Sequence, residues 1–478
     1  MKQMLHINHL KSLTQEQFAP EKNERGVFSS IRAASLSSLR EKPVNYRIFA
    51  ALVTVGSFGI AVKLAATLKE ITVAQRFGVG DYLDAFLIAY LLPSVAINVI
   101  SGSFNAALIP TYIQVREQQG EAEAQRLFSS ILVLGIGLLV AASLALMVGA
   151  SSILPLLGSS FTPEKLALTR SLFLFLLPIL PLTGVSTIWS AMLNAGERFA
   201  LSSITPIITP IVTMVFVYSL TGRLGAYALA LPIVCGSLLE CTLLGAALRH
   251  QGVSIMPRWH GRTAGVMQVA GQYGPMFASA LTMNGTILVD QSMAAMLGTG
   301  SVSALNYANR IPAMLAAIGT ISLSTAVLPH LSRMTAVGDW KGIKQTLRTF
   351  SSLILVVAVP ATLLLIAFST PLVELLFQRG AFTLNDAAHV ASIQRLYLLQ
   401  LPFYILSMLF VRLTSALKAS HILLWGSLIN FTLNAALDYQ LMKWFGLCGI
   451  ALSTSLVYAV SLFYLCFMSL RLLKRVEN

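Results

Sequence analysis

Seven ionisable side chains stand inside long apolar runs: Lys63, Asp84, Glu240, Asp290, Arg310, Arg412 and Asp438. A charge at the centre of a bilayer costs roughly 2.5–3.5 kcal/mol, so each is a functional candidate. Lys63 and Glu70 are seven residues apart, which puts them on one helix face with Lys69 close by. A basic group facing a cavity there would attract a phosphate, lysine acting as a compact point charge. The competing reading of Lys63 is a side chain that snorkels to the membrane surface. Arg310 stands between Tyr307 and Pro312, beside an expected helix break, where its fork could hold a diphosphate by paired hydrogen bonds. The competing reading there is an ion pair with Asp290 or Glu240.

Asp290, Asn434 and Asp438 suggest different chemistry. Asn434 and Asp438 are i,i+4 on one helix face, and Thr454 follows at a similar depth on the next apolar segment. Two carboxylates, an amide oxygen and a hydroxyl form a hard oxygen set suited to sodium or a divalent ion. An Asp–Arg or Asp–Asn packing network is the alternative. Other chemistry has little to stand on. There is no G-x-x-x-x-G-K-[ST], so no nucleotide partner is expected, and no H-E-x-x-H or G-x-S-x-G. The seven histidines are scattered. The four cysteines lie inside apolar runs without a C-x-x-C pair and read as packing residues.

The elements that must position these groups are membrane helices. Of 478 residues, 56% are hydrophobic and only 11% charged, against roughly 25% charged in a soluble domain. That excludes a soluble enzyme and a disordered chain. Continuous apolar runs, rather than short alternating ones, exclude a β-barrel. The fold class expected is an all-α polytopic membrane protein, a transporter rather than an enzyme. Twelve segments are long enough to span: 48–68, 83–113, 127–150, 170–192, 200–221, 224–248, 265–297, 301–331, 349–373, 388–417, 421–442 and 447–470. The net charge of +14 would suggest nucleic acid in a soluble protein; here topology accounts for it and no nucleic acid is expected. With both termini in the cytoplasm, 22 basic residues fall inside and seven outside, while Lys63, Arg310, Arg395 and Arg412 lie in or near spans. Residues 1–47 read as a polar cytoplasmic tail without a signal-peptide core, with a short amphipathic piece near Phe28–Leu39.

The chain also repeats. At an offset of 219, Ala89, Pro93, Ser103, Ala107 and Pro110 fall on Ala308, Pro312, Ser322, Ala326 and Pro329. These are the second and eighth of twelve segments, which predicts two parallel six-helix lobes around a central cavity. The lobes are 48–248 and 265–470, joined by a cytoplasmic linker at 249–264, with 471–478 as a cytoplasmic C-terminus. Asp84 falls in the second segment, and the same offset pairs Arg310 with Leu91.

The runs FGVGDYLDAF (77–86), LNAGERFAL (193–201), LNYANRI (305–311), LPHLSR (328–333), LFQRGAFT (376–383) and GIALSTSL (449–456) resemble the MurJ/MviN lipid II flippases of the multidrug, oligosaccharidyl-lipid and polysaccharide exporter superfamily. The similarity covers about residues 48–470. It implies alternating access that carries a polyprenyl-diphosphate-linked glycan across the bacterial inner membrane, by a chain expected to act as a monomer in the bilayer. Counting back from Phe77, the family's first-span arginines match Lys63 and Lys69, and its aspartate matches Glu70. The D-A-F aspartate matches Asp84. The Y-A-D-R arginine matches Arg310, with Asn309 in place of the Asp. The resemblance also implies sodium at Asp290, Asn434, Asp438 and Thr454, with the Ile450 carbonyl as a fifth oxygen, and no other cofactor. Departures fall at Leu91–Leu92–Pro93–Ser94 and at Ile97–Asn98, where the family carries R-L-P-N and an Arg pair. Many members also carry two further C-terminal spans. A related lipid-linked oligosaccharide therefore stands beside lipid II as the expected cargo. A cation-coupled small-molecule exporter and a non-transporting scaffold of a glycan-synthesis complex are the alternatives.

Overall fold

The computed structural model describes residues 44–196, 199–250 and 255–477. The tail expected over 1–47, with its amphipathic piece, lies outside them but for residues 44–47. The compact unit on which the site rests runs from Gly59 to the C-terminus; residues 44–58 are the first turns of a longer helix.

The described residues fold into helices without a strand. They are α1 (Val44–Phe77), α2 (Asp81–Gln119), α3 (Glu121–Leu157), α4 (Pro163–Leu176), α5 (Ile179–Ala195), α6 (Phe199–Ile204), α7 (Ile208–Leu224), α8 (Tyr227–His250), α9 (Ala264–Ala295), α10 (Ser301–Ala308), α11 (Arg310–Val337), α12 (Trp340–Ala367), α13 (Ser369–Phe377), α14 (Leu384–Leu398), α15 (Gln400–Ala416), α16 (Ser420–Phe445) and α17 (Leu447–Glu477). A 3₁₀ turn, Thr205–Ile207, joins α6 to α7. Eight helices or continuous helix pairs are long and apolar enough to cross a membrane, and the bent pair α4–α5 makes a ninth. The three remaining sequence segments are helices as well: α1, α9 and α16. These three carry Lys63, Lys69, Glu70, Asp290, Asn434 and Asp438, so polarity is concentrated in the spans that carry most of the predicted site.

Local chemistry explains the boundaries. α4 starts at Thr162-Pro163, where the Thr162 hydroxyl accepts from the Lys165 amide. α14 opens on a capping box between Thr383 and Asp386. The expected break beside Arg310 is present at Asn309, between α10 and α11.

The helices run alternately between two ends. One end carries the turns near residues 78–80, 158–162, 296–300 and 378–383; the other carries those near 120, 196, 255–263, 338–339 and 417–419. Burial differs between the ends. At the first, one apolar core is shared by both halves of the chain, from Val73 and Phe86 to Tyr307, Phe382 and Ile450. At the second there are two cores. One joins Phe104, Phe128 and Leu248 with Val266 and Val269. The other joins Leu331, Leu347, Leu413 and Leu473. The halves are therefore closed on each other at one end and packed separately at the other. α9 bridges them: its first turns pack on the first half, and Gly285 further along lies against Phe431 of α16.

Candidate functional site

At the closed end the two halves meet through backbone. The Ala381 amide donates to the Gln75 carbonyl at 2.8 Å. Gly78 (φ +58°) lies against the Ala381 carbonyl and Gly380 (φ +59°) against the Gln75 carbonyl. Any side chain would strain both the left-handed φ and the close approach. Two of the sequence motifs, FGVG and QRGAF, are thus the two sides of one contact.

Asp84 completes this closure. Its Oδ2 accepts from the Gly300 amide at 2.7 Å and its Oδ1 from the Ser303 amide at 2.8 Å. It thereby caps α10, a helix of the opposite half. The Lys165 ammonium reaches Asp84 at 3.0 Å and the more exposed Asp81 at 2.6 Å. Asp84 is fully buried and the Lys165 side chain is 6% exposed. Removing one partner of a buried ion pair typically costs about 3–5 kcal/mol, because the remaining charge is left uncompensated. Lys165→Met should therefore lower thermal stability by an amount in that range, while Asp81→Asn, on the exposed arm, should change it by under about 1 kcal/mol. Equal losses from both variants would show that the buried pair is not what holds the closure. Lys165 is one of the seven basic residues that the charge split leaves outside. Its proximity to the Thr162 helix start was the available signal.

Glu70, Lys69 and Arg310 form a second link between the halves. Glu70 Oε1 accepts from Lys69 Nζ and from an Arg310 terminal nitrogen, both at 2.8 Å. The Glu70 side chain is 14% exposed, while Lys69 and Arg310 keep open faces at 29% and 43%. Arg310 is thus paired with Glu70, across the halves, rather than with Asp290 or Glu240. Lys63 is exposed, two turns from Glu70 on the same face and about 10 Å along the axis. One carboxylate and three cations leave this surface net positive, open to an anion. Asp84 belongs to the closure and not to this cluster.

The oxygen set is brought together. Asp290 of α9 faces Asp438 and Asn434 of α16, and Asp438 also faces Ser453 of α17. Asn434, Asp438, Ile450 and Ser453 are buried. The Thr454 hydroxyl donates to the Ile450 carbonyl at 3.1 Å, and Tyr397 lies against Thr454. Both Asp438 oxygens, Asp290 Oδ1, Asn434 Oδ1 and Ser453 Oγ are buried without a hydrogen-bond partner among the described residues. Orphaned buried acceptors around two adjacent carboxylates fit a desolvated cation. Two carboxylates with an amide oxygen, hydroxyls and a backbone carbonyl suit a hard ion such as sodium. Sequence reading missed Ser453 and Tyr397; Ser453, beside Thr454 within GIALSTSL, was the more legible of the two.

Residues 73–477 match the family model described as MurJ, the lipid II flippase. The chain belongs to that family. A protein named "Probable lipid II flippase MurJ" from Buchnera aphidicola is 25% identical over 414 residues, covering 85% of this chain and 80% of that one. One of the same name from Synechocystis is 28% identical over 411 residues, covering 82% and 76%. A MurJ structure in an inward closed conformation superimposes with a TM-score of 0.76 at 22% identity, over 89% of this chain and 90% of that one. An inward-facing multidrug resistance transporter of the MATE family reaches 0.73 at 12% identity, over 89% and 98%. The shared fold thus extends to transporters of other cargo. Within the MurJ family the chain is a multi-pass membrane transporter and not an enzyme.

Proposed function

We propose that the chain moves a polyprenyl-diphosphate-linked glycan precursor from the inner to the outer leaflet of the bacterial cytoplasmic membrane. Lipid II is the cargo named for its relatives, and a related lipid-linked oligosaccharide is the alternative. The observation that supports this most is the Lys69–Glu70–Arg310 cluster. It joins the two halves, and its exposed side is cationic, as a diphosphate requires. A small cationic cargo, as in the multidrug branch, would call for the opposite sign.

The 22-to-7 charge split supports an orientation with the separately packed end and both termini in the cytoplasm. On that orientation the halves pack separately at the inner end and are sealed outward by the Asp84 and Gly78–Gly380 contacts. Moving one negative charge outward gains roughly 2.3 kcal/mol per 100 mV of inside-negative potential. Two phosphates would gain about 4–5 kcal/mol, enough to bias export without a nucleotide. Asp290, Asn434, Asp438, Ile450 and Thr454, with Ser453, form a separate site for sodium. A bound cation there neutralises two adjacent carboxylates and so alters how α9, α16 and α17 pack.

Two measurements test the reading. In cells depleted of the protein, a lipid-linked intermediate should accumulate on the inner leaflet; its absence there, with synthesis intact, would leave the scaffold role. In a cysteine-free background, Glu164→Cys and Asn385→Cys should react with an impermeant thiol reagent from outside, and Lys341→Cys should not. The reverse pattern would invert the orientation.

A further inference from the structure

The outer surface of the second half carries a cleft that the transport reading does not use. On α12, Ile343, Leu347, Ile354 and Ala358 turn into the core. Beside that buried face runs a second one at helical spacing: Lys344, Arg348, Ser351, Leu355 and Val359. Its first two residues are exposed cations, and its last two are exposed and apolar. A cleft of about 230 Å³ opens where Lys344, Arg348 and Ser351 lie, bounded by Leu347, by Phe410 of α15 and by Leu470 of α17. The surrounding end of this half is strongly basic. Arg333, Lys341, Lys418, Arg471, Lys474 and Arg475 stand near it in the chain, against Asp339 and Glu477 alone. Among the described residues the ion pairs are those of Lys69, Arg116, Arg126, Lys165 and Arg310, and Arg348 is in none of them.

We infer that this cleft binds the headgroup phosphate of an anionic phospholipid, with an acyl chain laid along Leu355 and Val359. The Arg348 guanidinium and the Ser351 hydroxyl supply donors for phosphate oxygens, and Lys344 adds its positive charge beside them. The stripe then changes from charge to hydrocarbon within about two turns, as one amphiphile does across the membrane interface. A soluble anion would have no use for the apolar continuation. Basic clefts between spans are the usual means of holding anionic headgroups. The inference requires only that the chain spans a membrane, and it stands whichever glycan is carried.

The test uses the purified full chain in neutral micelles doped with phosphatidylglycerol or, at the same fraction, phosphatidylcholine. Phosphatidylglycerol should raise the melting temperature more. Lys344→Gln with Arg348→Gln should raise the half-saturating fraction of phosphatidylglycerol about 30-fold, the equivalent of about 1 kcal/mol for each basic side chain. Ser351→Trp keeps both charges and fills the cleft, so it should lose the lipid increment too; it carries the test if the double variant does not fold. Arg249→Gln, an exposed cation of the first half, should keep the increment. The inference is overturned if the wild type melts alike in both lipids, or if the double variant or Ser351→Trp retains the increment. It also fails if Arg249→Gln loses as much, which would mean diffuse charge attraction. Inorganic phosphate reproducing the increment would make this a free-anion site and overturn the lipid assignment.

Discussion

Arg310→Ala should cut flipping of a labelled lipid-linked glycan by at least tenfold at equal expression. A hydrogen bond to a charged group contributes about 1.5–3 kcal/mol, equivalent to roughly 10–150-fold. Arg310 is partly exposed, so solvent screening places the expected effect toward the lower part of that range. The loss has two sources. The cationic surface gives up its only fork, and Glu70 keeps Lys69 alone to balance it. Arg310→Lys should be intermediate, because the charge stays while the paired geometry goes. Lys63→Arg should be tolerated, since the family carries arginine there, whereas Lys63→Glu should not, because it reverses the charge on the Glu70 face. Normal transport by both Arg310→Ala and Lys63→Glu would remove the anion surface from the mechanism and favour a scaffold role.

Glu70 also explains what was legible in the sequence and what was not. The intramembrane charges could be recognised one by one, because hydropathy alone makes each an exception. Their pairing could not, because Glu70 and Arg310 are far apart in the chain and meet only when the halves close. In the sequence Asp290 and Glu240, two acids in spans, are the evident partners for Arg310, whereas its actual partner lies near the end of α1 beside Lys69. The oxygen set was more readable: Asn434 and Asp438 are fixed by helix spacing, and Ser453, Thr454 and Ile450 share one short motif. Asp84 is the instructive case. At the offset of 219 that relates the two halves, its mate is Ser303, the residue whose amide it binds. A position and its repeat mate can touch only near the axis that relates them. The repeat therefore carried the information that Asp84 sits at the seam of the halves, but only for a reader who had already taken those halves to face each other. The glycines of FGVG and QRGAF were visible as motif letters. Their reason, two backbones in contact at positive φ, belongs to tertiary structure.

Asp438→Ala should abolish sodium-dependent thermal stabilisation while leaving the sodium-free protein as stable as the wild type or more so. The sign follows from the geometry. Asp438 is fully buried beside Asp290, and neither of its oxygens has a hydrogen-bond partner among the described residues. Two adjacent carboxylates in a low-dielectric interior repel unless a cation or proton lies between them. Removing one relieves that repulsion at the expense of the ion site. A ligand that binds only the folded state stabilises it by about 2.7 kcal/mol at 100 times its dissociation constant. The wild type should therefore melt measurably higher in saturating sodium than in an impermeant organic cation at the same ionic strength, and the variant should not. Asn434→Leu should weaken the response in the same direction by removing a neutral oxygen acceptor. Thr454→Val should weaken it less, because the hydroxyl is already engaged with the Ile450 carbonyl. A packing role predicts the opposite pattern: Asp438→Ala would lower the melting temperature equally with and without sodium, by the few kcal/mol of a cavity in a buried helix interface. A wild-type protein indifferent to sodium at saturation would leave the set with packing alone.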